Sequence, residues 1–357
     1  MKTTITLAVL GILLLSVPGV LAVNIGTGIT PDITTEDFEP MVWMCDNRVV
    51  TDDSVEPGRV SGGGQFLKER INNYAFTGEQ ISWRVLVFDK NGIEKVKDVF
   101  GTIGSSQGAG NDIEVNCKLD SIVQREEKIN PKCNARVLEE ELDSVPENTA
   151  AYYTCTLTVE TADSMYGEHW ITVEAEDLDG LSGTMDENEF WFFNPVIALS
   201  IDGDLAFDDV RPGTQSYSST LLVGNDADAG SGVMMDMFIS GTDFYDSASS
   251  GAKCPTTNQL ALSNFDYFAT NGAYSSLTDP RNDVEGYVGI GYGDGFNDPS
   301  PFYDANEILQ VLKVGPYYTA NVLAPGAELA LTFRLSLPEP CNGDFDTGSI
   351  FFWGEAI

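Results

Sequence analysis

Between Tyr152 and Phe193 the sequence alternates with a period of two. Tyr153, Cys155, Leu157 and Val159 interleave with Thr154, Thr156, Thr158 and Glu160, and Ile171, Val173 and Ala175 interleave with Thr172, Glu174 and Glu176. Successive side chains of an extended strand point to opposite faces, so this pattern dictates strands with one dry face and one wet face. Asp179-Gly180 supplies a turn residue pair. Phe190 to Phe193 then run into Asn194-Pro195, where proline cannot continue a central ladder. The same period returns at Leu329, Leu331, Phe333, Leu335 and Leu337, and Pro338 stops it. The fold class that follows is all-β.

A chain of 357 residues is too long for one ordinary sandwich and suits two. The division predicted is a leader at 1–22, a first β-sandwich with insertions at 23–195, and a second β-sandwich with a long loop insertion at 196–357. In the first half MVWMC, ISWRVLVF and IEVNCKL read as strands, and Asn91-Gly92 reads as the tight turn of a hairpin after ISWRVLVF. The 51–64 segment reads as loop, and FLKERINNYAF stays open between a short helix and an extended approach. In the second half VIALSIDGD, YSSTLLVGN, VMMDMFIS, EILQVLKV, ELALTFRLSLP and TGSIFFWGEA read as strands. The Gly, Tyr and Asp of 246–301 read as an irregular surface loop, where ligand contact is expected first.

The N-terminus carries Lys2, an apolar run from Ile5 to Val17 and Val20-Leu21-Ala22, the order of a secretory leader cleaved after Ala22. A retained anchor is the rival reading. SIFFWGEAI offers no apolar tail of membrane length, and no Asn-x-Ser/Thr sequon occurs. Six cysteines in an exported chain read as three disulfides. Cys254 and Cys341 stand alone in the second half and should pair. Cys45, Cys117, Cys133 and Cys155 allow three connectivities that sequence does not separate; Cys117 with Cys133 and Cys45 with Cys155 are the pairs preferred.

With 55 acidic against 19 basic residues the formal charge is −36. Phosphate would be repelled over most of such a surface, which excludes a general nucleic-acid binder and disfavours anionic membranes. The excess is not a tail: 33 acids face 13 bases in 23–195, and 22 face 5 in 196–357. Solubility is the plain reading of spread acidity. The sharper reading is calcium, a hard cation that wants several oxygens at once. Asp177, Asp179, Asp186, Glu187 and Glu189 bracket one turn, and Asp202, Asp204, Asp208 and Asp209 open the next domain. Asp177, Asp179, Asp202 and Asp204 are therefore the candidate metal residues, expected to meet at the domain junction; no other cofactor is expected.

Catalytic constellations are thin. Gly104-Ser105-Ser106-Gln107-Gly108 matches a nucleophile elbow, with the single histidine, His169, after it. The elbow needs a strand before and a helix after, and the sequel AGNDIEVNC has no helical period. Neither a P-loop nor a dinucleotide loop in its proper setting occurs.

GEQISWRVLVFDKNGIEKV, followed by CTLTVET, GEHWITVEAEDLDGLSG and ENEFWFF, resembles the extracellular Ig-like domains common on prokaryotic surfaces. The resemblance implies an Ig-like first sandwich that serves adhesion, spacing or assembly. In the second half, a strand, Pro212-Gly213, a strand ending in Asn225, then Leu-x-Phe-x-Leu-x-x-Pro and a Gly-led last strand resemble secreted sandwich domains of the biofilm-fibre and camelysin type. The function read from all this is a non-enzymatic, extracellular or cell-surface structural protein of a sheath or filament. Its partners would be other surface proteins or further copies of itself. An adhesin or glycan-binding module acting through the long loops is the alternative, and a secreted hydrolase is the third.

Overall fold

The structure, a computed structural model, describes residues 31–51, 72–125, 127–134, 145–185, 189–293, 305–315 and 317–357. The chain divides into two units, Met1–Asp37 and Phe38–Ile357. Of the first, residues 31–37 are exposed and carry no regular secondary structure. The leader at 1–22, nearly all of the 51–64 loop, Asp186 and Glu187 lie outside the described residues.

Nine strands build the first sandwich: β1 (Met41–Thr51), β2 (Tyr74–Ala75), β3 (Gln80–Phe88), β4 (Val96–Gly104), β5 (Ile113–Ile122), β6 (Ala150–Thr158), β7 (Gly167–Asp177), β8 (Ser182–Thr184) and β9 (Glu189–Phe193). They pair in the order β1-β3-β6-β5-β4-β7-β9-β2, with β8 on β7. Strand β5 makes the corner. Its Ile113–Asn116 half pairs with β4, and its Cys117–Ile122 half pairs with β6, so one strand serves both layers. The dry faces meet between the layers: Ile81, Trp83, Val85 and Val87 of β3 pack in one core with Val99 and Ile103 of β4 and Ile171 and Val173 of β7. The turn at Asp179-Gly180 joins β7 to β8 as expected, with Gly180 at φ 88°. Gly183 on β8 admits no side chain, because the Pro40 carbonyl oxygen lies 1.5 Å from where a Cβ would stand.

Two local expectations fail for one reason, that sequence neighbours are not sheet neighbours here. Asn91-Gly92 does not close a hairpin. Strand β3 pairs with β1 and β6, whereas β4 pairs with β5 and β7, and the connection crosses between layers through a 3₁₀ turn at Ile93–Lys95. The preferred disulfides are likewise replaced by Cys45–Cys133 and Cys117–Cys155. Cys117 and Cys155 stand opposite each other on paired strands β5 and β6. Cys45 lies on the outer face of its layer with Leu86 and Tyr152, where helix α1 (Pro131–Asn134) brings Cys133 against β1. Val123, Ile129 and Val145 complete this outer cluster, so the layer is dry on both faces there.

The second sandwich comprises β10 (Leu199–Asp202), β11 (Gln215–Asn225), β12 (Met235–Gly241), β13 (Phe265–Asn271), β14 (Glu328–Ser336) and β15 (Ile350–Ala356), with two-residue strands at the edges. One sheet runs β10-β11-β14-β13; the other holds β12 beside β15. Leu329, Leu331 and Phe333 of β14 are fully buried against Met235, Met237 and Ile239 of β12. Cys254–Cys341 forms as expected. The loop reading of 246–301 is corrected: β13 lies inside that stretch, paired along Phe265–Thr270 with β14, and buries Phe265, Tyr267 and Ala269. EILQVLKV is not one strand either. Ile308, Leu309 and Val311 are buried between two short pairings at Asn306–Glu307 and Lys313–Val314.

The core does not stop at Pro195. Tyr74 and Phe192 of the first sandwich are buried in the cluster of the second, with Phe76 packed on it. Strand β2 holds Tyr74 in place by pairing with β9, and the Tyr74 hydroxyl donates to the carbonyl oxygen of Ile357. Asn72 donates to the Gly232 carbonyl at 2.7 Å, and Asp228 accepts from both the Tyr166 hydroxyl at 2.9 Å and the Val196 N–H at 2.8 Å.

Inside the second sandwich Asp236 is 4% exposed, and its carboxylate accepts from the Asn321 amide at 2.7 Å. Burial pushes its carboxyl up to about 7; the Asn321 hydrogen bond opposes this, and Glu307 and Glu355 add repulsion. Between about pH 4 and 7 the folded chain thus holds a proton that the unfolded chain lacks, so this group's contribution favours folding at low pH and is lost as pH rises through 7. At 1.36 kcal/mol per unit the loss approaches about 4 kcal/mol. Urea melts of the wild type and Asp236→Asn at pH 4.5 and 7.5 measure it: the variant should gain stability relative to wild type as pH rises. A constant difference between the two proteins would refute the assignment.

Candidate functional site

The outer face of the β10-β11-β14-β13 sheet carries the densest polar and aromatic constellation described. Its centre is Arg334, on the wet side of the alternation that buries Phe333 and Leu335. Only 7% of that side chain is exposed. One terminal nitrogen donates to Asp266 and to Asp283, each at 2.6 Å, and the other to Glu285 at 2.9 Å. The guanidinium lies 4.3 Å from the Tyr287 ring centroid. Burial works against its charge, but the bonds to Asp266 and Asp283 win and hold Arg334 protonated beyond its ordinary range.

Local chain chemistry explains why these groups converge. Asp266 on β13 is the register partner of Arg334 on β14. Asp283 caps its own turn, accepting the N–H groups of Glu285 at 2.8 Å and Tyr287 at 2.9 Å. Burial opposes the Asp283 charge, and the Tyr287 N–H and Arg334 together hold its carboxyl below the usual carboxylate range. Gly286 is required in that turn: its φ is 89°, and a Cβ would meet Leu277 and Phe268 at 2.8 Å. Tyr287 in turn lies 5.7 Å from Phe268 and 5.9 Å from Tyr217, both outward residues of the same sheet. Tyr217 is 52% exposed, Leu277 59% and Val284 103%, so the face is apolar at its rim and ionic at its centre.

A second, internal constellation is structural. Asp279 takes both Arg281 Nε and a terminal Arg281 nitrogen, at 2.9 and 2.7 Å, and also the Gln310 N–H at 2.8 Å. These bonds outweigh burial and hold the Asp279 carboxyl low. Tyr267 donates to the Ile308 carbonyl at 2.8 Å, and burial pushes its phenol up.

The candidate metal residues are not brought together at the junction. Asp177 and Asp179 share one turn, where Asp177 Oδ1 accepts the N–H of Asp179 at 2.9 Å and of Leu181 at 2.7 Å. Asp179 pairs with Lys95 at 3.3 Å. That turn ends the 11-residue strand β7, whose other end, Gly167, faces Phe193 next to the junction. At 3.3 Å per residue the two ends are about 33 Å apart. Asp202 ends β10 and Asp204 follows it, both exposed. Among the described residues no three histidine, cysteine, aspartate or glutamate side chains gather as a metal site would need.

Ser106 sits in the loop between paired strands β4 and β5, a strand–turn–strand setting rather than an elbow before a helix. His169 is 8% exposed; its Nδ1 donates to the Gly167 carbonyl at 2.9 Å, and its ring lies 5.0 Å from that of Phe193. It is a core histidine.

No protein-family model matches this sequence, and no curated protein matches it. Among solved structures the chain is similar to one described as BspA_C_mut, with 9% identity over 90% of this chain and 96% of that one, at a TM-score of 0.31. It is similar to the wild-type C-terminal domain of the Streptococcus agalactiae AgI/II polypeptide BspA, with 9% identity over 89% and 97% of the two chains and a TM-score of 0.28. A CsuC–CsuE chaperone–tip adhesion subunit pre-assembly complex from Csu pili of Acinetobacter baumannii aligns at 9% identity over 75% and 89%, with a TM-score of 0.19.

The Arg334 face separates stability from surface chemistry. Arg334→Met should cost about 1–3 kcal/mol, because three carboxylates lose the partner they surround while remaining 24, 37 and 56% exposed to water. Tyr217→Ala, on the exposed rim, should stay within about 0.5 kcal/mol of wild type. Equal losses in chemical denaturation would contradict this division.

Proposed function

We propose that the chain is an exported, non-enzymatic structural component of a cell surface, sheath or filament, in which two β-sandwiches act as one stiff spacer. The observation that carries this reading is the shared core: Tyr74 and Phe192 leave the first sandwich and are buried in the second. Relative domain motion is the default where an interface is small and polar, and a ring buried across the joint removes it. Export is supported by the cysteines, all six of which are paired. No helix among the described residues is long and apolar enough to cross a membrane.

The Arg334 face favours a second reading, an adhesin that takes a glycan on the tyrosines and carboxylates. Exposed aromatic rings beside fixed polar groups offer stacking and orientation together.

The spacer reading is tested on producing cells and in the calorimeter. Antibodies to the folded protein should label unpermeabilised cells, and the purified chain should melt in one transition. Tyr74→Ala should split that transition into two. Separate transitions in the wild type, or a cytosolic pool with reduced thiols, would remove the spacer reading. Retention of the chain on a glycan array, lost in Tyr217→Ala, would put the adhesin in its place.

A further inference from the structure

Asp236 is an acid placed opposite an acid. Met235, Met237 and Ile239 of β12 turn into the second core, so Asp236 and Phe238 lie on the other face of that strand. Asp236 is the register partner of Glu355 on β15, and Phe238 is that of Glu307 on the opposite side. Register partners share a face, which aligns Asp236 with an acid from each flanking strand, and like charges directly opposite repel. Asp236 is 4% exposed, so little water screens it. Its donor is the Asn321 amide at 2.7 Å, and the same amide donates to the Met237 carbonyl at 2.6 Å, so both of its hydrogens are used. The Asn321 oxygen is held in turn by the Leu309 N–H at 2.9 Å. Thr319–Asn321 and Val322–Leu323, which carry Asn321 past β12, have no charged side chain.

The residues beside Asp236 are those that hold the joint between the sandwiches. Met235 pairs with Ala356, and the Met234 carbonyl accepts the Ile357 N–H at 2.9 Å. Ile357 then accepts the Tyr74 hydroxyl on its main-chain oxygen. Glu355 and the acceptor of Tyr74 thus lie two residues apart on one strand end. Strand β12 is laddered on both sides, to β15 on one and to Asn306–Glu307 and Val322–Leu323 on the other. Among the described residues β15 is laddered to β12 alone. When charge develops on Asp236, β15 is therefore the strand that can yield.

We propose that the joint is a pH-sensitive catch: while Asp236 is protonated the end of β15 stays on β12 and Tyr74 stays docked on Ile357, and ionisation of Asp236 drives Glu355 off and takes Ile357 with it. This rests on the spacer reading and supplies its regulation. Burial first, and Glu307 and Glu355 with it, set the change at about pH 7 against the pull of Asn321. The folded chain binds the proton more tightly than the unfolded chain, so the joint is closed below that pH and loosens as pH rises through it. The spacer is stiff in mildly acidic surroundings and hinged in alkaline ones.

Calorimetry and amide exchange of the purified chain at about pH 5.5 and 8.5 test the catch. The wild type should melt in one transition at the lower pH and in two at the higher. Protection of the Ile357 N–H should fall at least about tenfold between them, relative to the Met185 N–H, which donates to Val173 in the first core. Asp236→Asn should keep one transition and a protected Ile357 at both pH values. Glu355→Gln should move the change in the wild type to higher pH, because it removes the facing charge while Asp236 stays. One transition and constant relative protection at both pH values in the wild type would overturn the catch and leave the spacer standing. Two transitions at both would remove the spacer and the catch together. A pH response that survives Asp236→Asn would overturn Asp236 as the trigger.

Discussion

A phenol buried outside its own sandwich sets the relation of the two halves. The Tyr74 ring has no solvent contact and lies among residues of the second core, while its backbone belongs to the first sheet. A buried hydroxyl without an acceptor costs about 1–3 kcal/mol, and the Ile357 main-chain oxygen supplies this one with an acceptor. Ile357 is held by its own N–H, which donates to Met234 at 2.9 Å, and by the adjoining strand β15, laddered to β12. One hydrogen bond therefore joins the β2–β9 pairing of the first sandwich to the β12–β15 pairing of the second. Neither end can move without exposing the other.

The sequence carried its faces more openly than its neighbours. Period-two alternation identified β3, β6, β7 and β14 and the face each buries, because that signal is local. Pairing is not local. Asn91-Gly92 has the composition of a hairpin and Gly92 has the positive φ, yet the strands it joins bury their dry faces from opposite layers, so the turn must cross between them. The disulfides followed the same logic: Cys117 meets Cys155 only because β5 divides itself between two partners. Strand β13 was hidden by its setting of glycine, serine and aspartate, although Phe265, Tyr267 and Ala269 alternate as well as any. Of the Arg334 face, the sequence pointed only to the 246–301 stretch that wraps it and did not single out Arg334. The meeting of Asp266, Asp283 and Glu285 on that residue depended on a register that no local pattern encodes.

Excess acid shapes this molecule more than any single motif. With 55 acids and 19 bases most carboxylates cannot have a cationic partner, so the folded chain must place each by other means. Arg334 serves three at once, which costs the burial of a guanidinium but ties the turn of Asp283 and Glu285 to the sheet beside Asp266. Asp279 and Asp283 are held low by main-chain N–H groups as much as by arginine. Asp236 takes the opposite course: buried, with acids for neighbours and the Asn321 amide as donor, it keeps its proton to about pH 7. The same residue type thus titrates on both sides of its ordinary range within one domain, according to whether N–H groups or other acids face it.

These placements bear on what the outer faces can do. A sandwich that is closed by its core, stapled by three disulfides and joined through Tyr74 does not need the exposed rims of its wet faces for stability. The Arg334 face is nevertheless rigid, since Asp283 is tied to its own turn and Gly286 fits only as glycine against Leu277 and Phe268. Ordering side chains at an interface costs about 0.5–1.5 kcal/mol each, and here that cost is met during folding. A partner that lands on Tyr217 and Tyr287 meets rings and carboxylates already in position. On the proposed adhesin reading, such a face suits repeated, weak, many-copy contact, where rigidity adds up across copies.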